Sequence, residues 1–251
     1  MTGTLTRHPG RRHARGFTLI ELMVTIGIIV ALVALTLGVL VAVLSGSERR
    51  QTTTVLELLV AATESWQQSA DRPITYGGAT GYGGPGVIFY DINAEDAAYT
   101  PGVPLSTTVV GNLMTRYLAV LERDRDAQRI LGGIDPKLLT RIPENQINPA
   151  IGTQRLVDAW GTPILVVFPG REMDPVLYAA AGDDFADADE DGTIRTPFEN
   201  LVGVATQRVI AFVSAGPDGQ FGDRQAPVDS AAYAQTLDNL SSYPLERRDA
   251  P

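Results

Sequence analysis

Arg15-Gly16-Phe17-Thr18-Leu19-Ile20-Glu21-Leu22-Met23-Val24 opens an apolar run that continues to Leu44. Between Gly16 and Leu44 the single charged residue is Glu21. The 28 residues from Phe17 to Leu44 exceed the roughly 20 that a helix needs to cross a bilayer. Residues 1–15 differ sharply. They carry Arg7, Arg11, Arg12 and Arg15 with no acid, and Pro9-Gly10 breaks any helix there. A basic flank before an apolar span keeps that flank in the cytoplasm and sends the C-terminal side across the membrane.

Two ordinary readings of this segment stay open on composition alone. A secretory signal cut near Leu44-Ser45-Gly46-Ser47 fits poorly, because its apolar core would be too long. An uncleaved signal anchor is the other. Glu21 weighs against both, since a carboxylate inside an apolar span costs about 2.5–3.5 kcal/mol on insertion scales. It either snorkels to the nearby interface or serves a function.

Beyond the span the helix is expected to continue. Ser45 to Gln68 has no proline, and Val55, Leu59, Ala62 and Trp66 recur at helical spacing, with Glu57, Glu64 and Gln67 off that stripe. Asp71-Arg72-Pro73 ends it. A helix from Thr18 to Ser69 would be about 78 Å long at 1.5 Å per residue. Gly27, Gly38 and Gly46 are its weak points.

Composition limits the chemistry. There is no cysteine, and the two histidines, His8 and His13, both precede Gly16. A chain starting after Gly16 therefore has neither a catalytic histidine nor a His-ligated zinc site, and no enzymatic activity is expected. The net charge is −9. Loss of the four leader arginines would take it to −13, which repels phosphate backbones and argues against nucleic-acid binding. Such acidity suits hard cations such as calcium.

After Pro73 the sequence predicts a globular head of helices and short strands. Tyr76 to Gly86 reads as a glycine-rich loop and Val87–Tyr90 as a short strand. Leu113 to Leu131 reads as one helix with Leu113, Tyr117, Val120 and Leu121 on its buried face and Glu122–Asp126 on its solvated face. Asp135–Arg141 reads as a short helix, and Ile164–Phe168, Val176–Ala180 and Gln207–Ser214 as strands.

The run Arg15–Val24 resembles the cleavage and methylation motif of type IV prepilins and type II secretion pseudopilins. The resemblance implies that a prepilin peptidase cuts between Gly16 and Phe17 on the cytoplasmic side and N-methylates Phe17. It also implies that Glu21 pairs with the terminal amine of a neighbouring subunit during assembly. Further along, Asp158-Ala159-Trp160-Gly161-Thr162-Pro163, Ser214-Ala215-Gly216-Pro217-Asp218-Gly219 and Asp238-Asn239-Leu240 resemble the C-terminal part of the major pseudopilin, covering about 156–243. There the second motif is a calcium loop, which nominates Asp218, Asp223 and Asp238 as ligands. The alternative for Pro-Asp-Gly is a plain β-turn. The spacing from Asp218 to Asp238 is longer than in that family, and 75–150 and 182–206 are additional.

Asp187-Ala188-Asp189-Glu190-Asp191-Gly192 is a second calcium candidate, through Asp187, Asp189 and Asp191. It has acids at loop positions one, three and five and glycine at six. Phe198 stands where position twelve needs a glutamate. A solvated acidic insertion is the other reading.

The expectation is therefore an α+β, pilin-like chain: a leader over 1–16, a membrane and polymerisation helix over 17–44, its continuation over 45–72 and a head over 73–251. The head packs the long helix on a small antiparallel sheet. Such a chain is a single-pass inner-membrane protein with a cytoplasmic N-terminus and a periplasmic head. Its partners would be copies of itself, other pilin-like subunits, the prepilin peptidase and the inner-membrane assembly platform. The expected role is a structural subunit of a type II secretion pseudopilus. A type IV pilin for adhesion, motility or DNA uptake is the close alternative, and a membrane-anchored calcium-binding domain that never polymerises is a third.

Overall fold

A computed structural model describes residues 19–74, 76–77, 91–93, 105–141, 154–172, 193–194, 196–205 and 209–247. The chain divides into two compact units, Met1–Gly46 and Ser47–Pro251. One helix, α1 (Leu19–Ala70), contributes to both.

In the first unit the described side chains of α1 are solvent-exposed. Leu19, Ile20, Leu22, Met23 and Val24 head a continuous series of exposed apolar residues. Leu19–Thr36 has a mean hydropathy of 2.6 and is long and apolar enough to cross a membrane.

In the second unit α1 behaves as an ordinary amphipathic helix. Val55, Leu59, Ala62 and Trp66 are buried, and Glu57 and Glu64 are exposed, as the 3.6-residue period requires. The helix stops because Asp71 takes a left-handed backbone conformation (φ 51°). Arg72 N then donates to Gln67 O at 3.3 Å. The Arg72 guanidinium forks onto Asp91 at 2.5 and 2.7 Å and lies 5.1 Å from the Trp66 ring centroid.

The middle of the head departs from expectation. Tyr76–Gly77 (β1), expected in a loop, pairs in parallel with Ile92–Asn93 (β2); the expected Val87–Tyr90 strand lies outside the described residues. The single helix expected over Leu113–Leu131 is two helices, α2 (Thr107–Leu121) and α3 (Arg125–Leu131). Asp124 makes the break, because its side chain accepts from Ala127 N at 2.8 Å and caps α3. That bond also holds the Asp124 carboxyl below its usual range. Glu122–Asp126 is thus a helix junction rather than one solvated face. Over 135–141 a short 3-10 turn, Pro136–Leu138, gives way to the strand β3 (Leu139–Arg141), which pairs antiparallel with β4 (Gln154–Leu156).

The core forms where α1 and α2 meet a three-stranded antiparallel sheet. Its order is β10-β9-β5, with β5 Leu165–Val167, β9 Ala211–Ser214 and β10 Leu240–Ser241. In register, Val166 faces Phe212 and Leu240 faces Ser214. All residues of β5 and β9 are buried. Tyr117 of α2 sits at the centre, edge-on to Phe212 with centroids 5.4 Å apart. Its hydroxyl is 2.8 Å from Thr63 Oγ1 of α1, and burial pushes its pKa far up.

Smaller elements complete the head. Arg171–Glu172 (β6) pairs with Thr193–Ile194 (β7), and Val204–Ala205 (β8) pairs with Leu245–Glu246 (β11), both antiparallel. Pro197–Val202 (α4) starts with a reciprocal capping box between Thr196 and Glu199, and Ala231–Ala234 (α5) is a single turn. The expected Val176–Ala180 strand lies outside the described residues, and the last predicted strand is realised over Ala211–Ser214. The architecture is α+β: a long N-terminal helix with an apolar first half, then helices and small sheets, consistent with a pilin-like fold.

Candidate functional site

Two regions carry the expected functional residues. The first is the start of α1. Gly16 and Phe17 lie outside the described residues, and Glu21 falls in the first turn of the helix, where a carboxylate suits the positive end of the backbone dipole. Thr25 Oγ1 donates to Glu21 O, and Thr36 Oγ1 donates to Leu32 O at 2.7 Å. Both hydroxyls are satisfied within the helix, so neither hinders burial in lipid. Ile20, Glu21, Val24, Thr25 and Ile28 line a shallow groove on this exposed surface.

The second region is a knot that ties three distant segments of the head together. Asp158 is 1 % exposed. Its Oδ1 accepts from Trp160 N at 3.0 Å and Thr162 N at 2.8 Å, folding Asp158–Pro163 into a tight turn. Its Oδ2 accepts from Ser214 Oγ at 2.6 Å. Ser214 Oγ in turn accepts from Gly216 N at 3.1 Å. Thr52 of α1 joins from the other side, accepting from Ala159 N at 3.2 Å. Burial pushes the Asp158 carboxyl above its ordinary range, and the hydrogen bonds to Ser214, Thr162, Trp160 and Gly161 partly offset this.

The knot positions the acidic loop. Gly216 has φ 71°, and a Cβ there would come within 2.6 Å of Asp238 O and 3.1 Å of Asp238 Oδ2. Only glycine fits that approach. Asp238 Oδ2 also lies 3.4 Å from Asp218 N, so the loop after β9 and the turn before β10 meet here. Asp218 Oδ1 accepts from Gln220 N at 2.8 Å. Burial, and then the nearby charge of Asp238, raise the Asp218 carboxyl pKa, with the Gln220 bond opposing them.

Two oxygens in this loop, Asp238 Oδ1 and Asn239 Oδ1, are buried with no hydrogen-bond partner. Asp223 stands in a turn of its own, with Oδ1 accepting from Gln225 N at 2.9 Å. Asp218 and Asp238 are thus brought together. Among the described residues no three Asp, Glu, His or Cys side chains are grouped to hold a metal. Asp187, Asp189 and Asp191 lie outside the described residues.

Thr52 was not singled out by sequence reasoning, and Asn239 entered only inside the Asp238-Asn239-Leu240 motif with no role of its own. Thr52 lies three residues before Val55, on the same helical stripe, which is the signal that places it inward. Asn239 gives no such signal.

Residues 11–37 match the family described as the prokaryotic N-terminal methylation motif. This agrees with the resemblance of the N-terminus to type IV pilins and pseudopilins. It supports a type IV pilin-like precursor processed by a prepilin peptidase and assembled with pilin-like subunits, and an N-terminal helix of membrane-anchor type. No curated protein and no solved structure matches the chain.

Proposed function

We propose that this chain is a structural subunit of a type II secretion pseudopilus-like filament, and not an enzyme. The observation that carries this reading is the methylation motif over 11–37, which encloses the membrane-length helix segment Leu19–Thr36. The peptidase would free Phe17, and the apolar helix would hold the subunit in the inner membrane until it enters the filament. Glu21 would make entry favourable, since a carboxylate at lipid depth gains from meeting a cation.

The choice of pseudopilus over surface pilus is supported by the head. The two segments that resemble the major pseudopilin are joined through the Ser214–Asp158 hydrogen bond. Calcium would be held by Asp218 and Asp238, with Asp223 as the third candidate. The buried partnerless oxygens of Asp238 and Asn239 suit an oxygen-seeking cation. Bound there, it would supply the positive charge that lets two neighbouring carboxylates stay ionised together.

Deletion of the gene in its native cell, with complementation, tests the role. The proposal expects loss of secreted proteins from the medium and their retention in the periplasm. Intact secretion with loss of surface filaments, motility or DNA uptake would make it a pilin. Intact secretion with all filament functions unchanged would make it a monomeric anchored domain.

A further inference from the structure

A cleft of about 250 Å³ lies between the second half of α1 and one end of the head sheet. Val60, Ile74, Pro169 and Ile210 give it apolar walls, and Glu64 and Tyr243 give it polar groups. Glu64 is exposed, and among the described residues neither a hydrogen bond nor an ion pair engages its carboxylate. Burial, and then the nearby charge of Glu64, raise the Tyr243 pKa, so carboxylate and phenol act on each other across the cleft. An apolar trough with one carboxylate suits a long aliphatic stem that ends in a cation, which is the form of an arginine side chain. A purely apolar group would leave the carboxylate unanswered, and an acid would be repelled.

The same helix carries the complement. Arg49 and Arg50 are the first cations after the apolar run. Both are exposed, and among the described residues no acid pairs with either. Arg50, Glu57 and Glu64 recur every seven residues. They therefore share one face of α1, drifting by about 20° per step, and all three are exposed. That face is positive at its start and negative farther on. Within one chain Arg50 and Glu64 are held about 21 Å apart by the helix rise and cannot meet. On two parallel copies displaced by that length they come level. We propose that the cleft is the docking site for Arg50 of a second copy, whose guanidinium pairs with Glu64 and whose stem lies on the apolar walls. The inference rests on the filament role proposed above and adds to it a contact outside the membrane segment that fixes the stagger of neighbouring helices.

The chain has no cysteine, so introduced thiols report without background. Thr53 is exposed and Gln67 lines the cleft. They stand as far apart in sequence as Arg50 and Glu64, and replacing them leaves both charges in place. Full-length Thr53→Cys and Gln67→Cys chains with different tags are co-expressed in the native cell, and their membranes are treated with a short bismaleimide. Expected is a heterodimer linked between positions 53 and 67. Glu64→Arg in the Gln67→Cys copy should lower its yield severalfold, as should Arg49→Glu with Arg50→Glu in the Thr53→Cys copy. The two sets of changes together should restore it. All three positions are exposed, so these variants keep the core intact. Absence of the 53–67 product, a yield indifferent to the charges, or loss without rescue overturns the inference. If the product is missing while gene deletion still abolishes secretion, the docking falls and the filament role stands. A charge-dependent product with secretion intact keeps the docking and removes the secretion role.

Discussion

Ser214 Oγ donates to Asp158 Oδ2 at 2.6 Å across 56 residues of sequence, inside the core of the head. This one bond fastens the turn that precedes β5 to the end of β9, and through Gly216 it reaches the acidic loop.

Asp158→Ala should therefore be strongly destabilising. It strips the acceptor from Trp160 N, Thr162 N and Ser214 Oγ together. At about 1–3 kcal/mol for each buried donor left unsatisfied, with some relaxation, a loss of about 3 kcal/mol is expected. Asp158→Asn keeps the Oδ1 contacts and should cost less. Thermal and denaturant unfolding of the full chain in detergent measures both, and equal, small losses would show the knot to be incidental.

The pH response of this pair of proteins has a definite sign. Burial raises the Asp158 pKa in the folded state. Its protonated form therefore contributes stability that is fully present below the ordinary carboxylate value and is lost as pH rises through the raised value. Asp158→Asn removes that titration. The stability of the wild type relative to Asp158→Asn should be greatest in acid and fall as pH rises through the carboxylate range. A difference that stays flat, or rises, across that range contradicts the assignment.

The helix stripe through Val55, Leu59, Ala62 and Trp66 was legible because a strong 3.6-residue period leaves few alternatives. The break at Asp124 was not, since a capping aspartate among alternating charges looks like any solvated face until Ala127 N is seen to point at it. The strand pairing of Ile92 with Tyr76 and the Asp158–Ser214 bond depend on contacts between distant segments, which no local window contains. Asp218 and Asp238 were nominated by resemblance, and their approach depends on a glycine whose backbone no composition reveals.

Processing is the simplest prediction for the N-terminus. The mature protein should begin at Phe17 with a methylated amine. Mass spectrometry of the N-terminal peptide, from cells with an active prepilin peptidase, reads this directly. A chain that still begins at Met1 or Thr2, or that begins beyond Leu40, would refute it.

Glu21→Leu should insert into the membrane and be cut after Gly16, yet fail to join filaments. No Lys or Arg lies between Phe17 and Glu48. A neighbour's terminal amine is then the cation within reach at that depth, and leucine gives it nothing to meet. Glu21→Gln should be intermediate. Cross-linking between subunits in membranes checks this, and full assembly of the leucine variant would leave Glu21 as an interfacial bystander.

Calcium should raise the melting temperature of the wild-type chain, and Asp218→Ala should abolish that rise while changing little in chelator. A ligand that binds only the folded state adds about 2.7 kcal/mol at a hundredfold excess over Kd. Identical melting of the wild type in calcium and in chelator would remove calcium from the loop.

Gly216 carries one last consequence, and it is genetic. With its left-handed backbone and Asp238 O against its α-carbon, this codon has no neutral missense step. Every amino acid reachable by a single base change brings a Cβ that must displace the turn before β10. In a saturating library, position 216 should return glycine alone, while neighbouring exposed Pro217 and Gln220 drift freely.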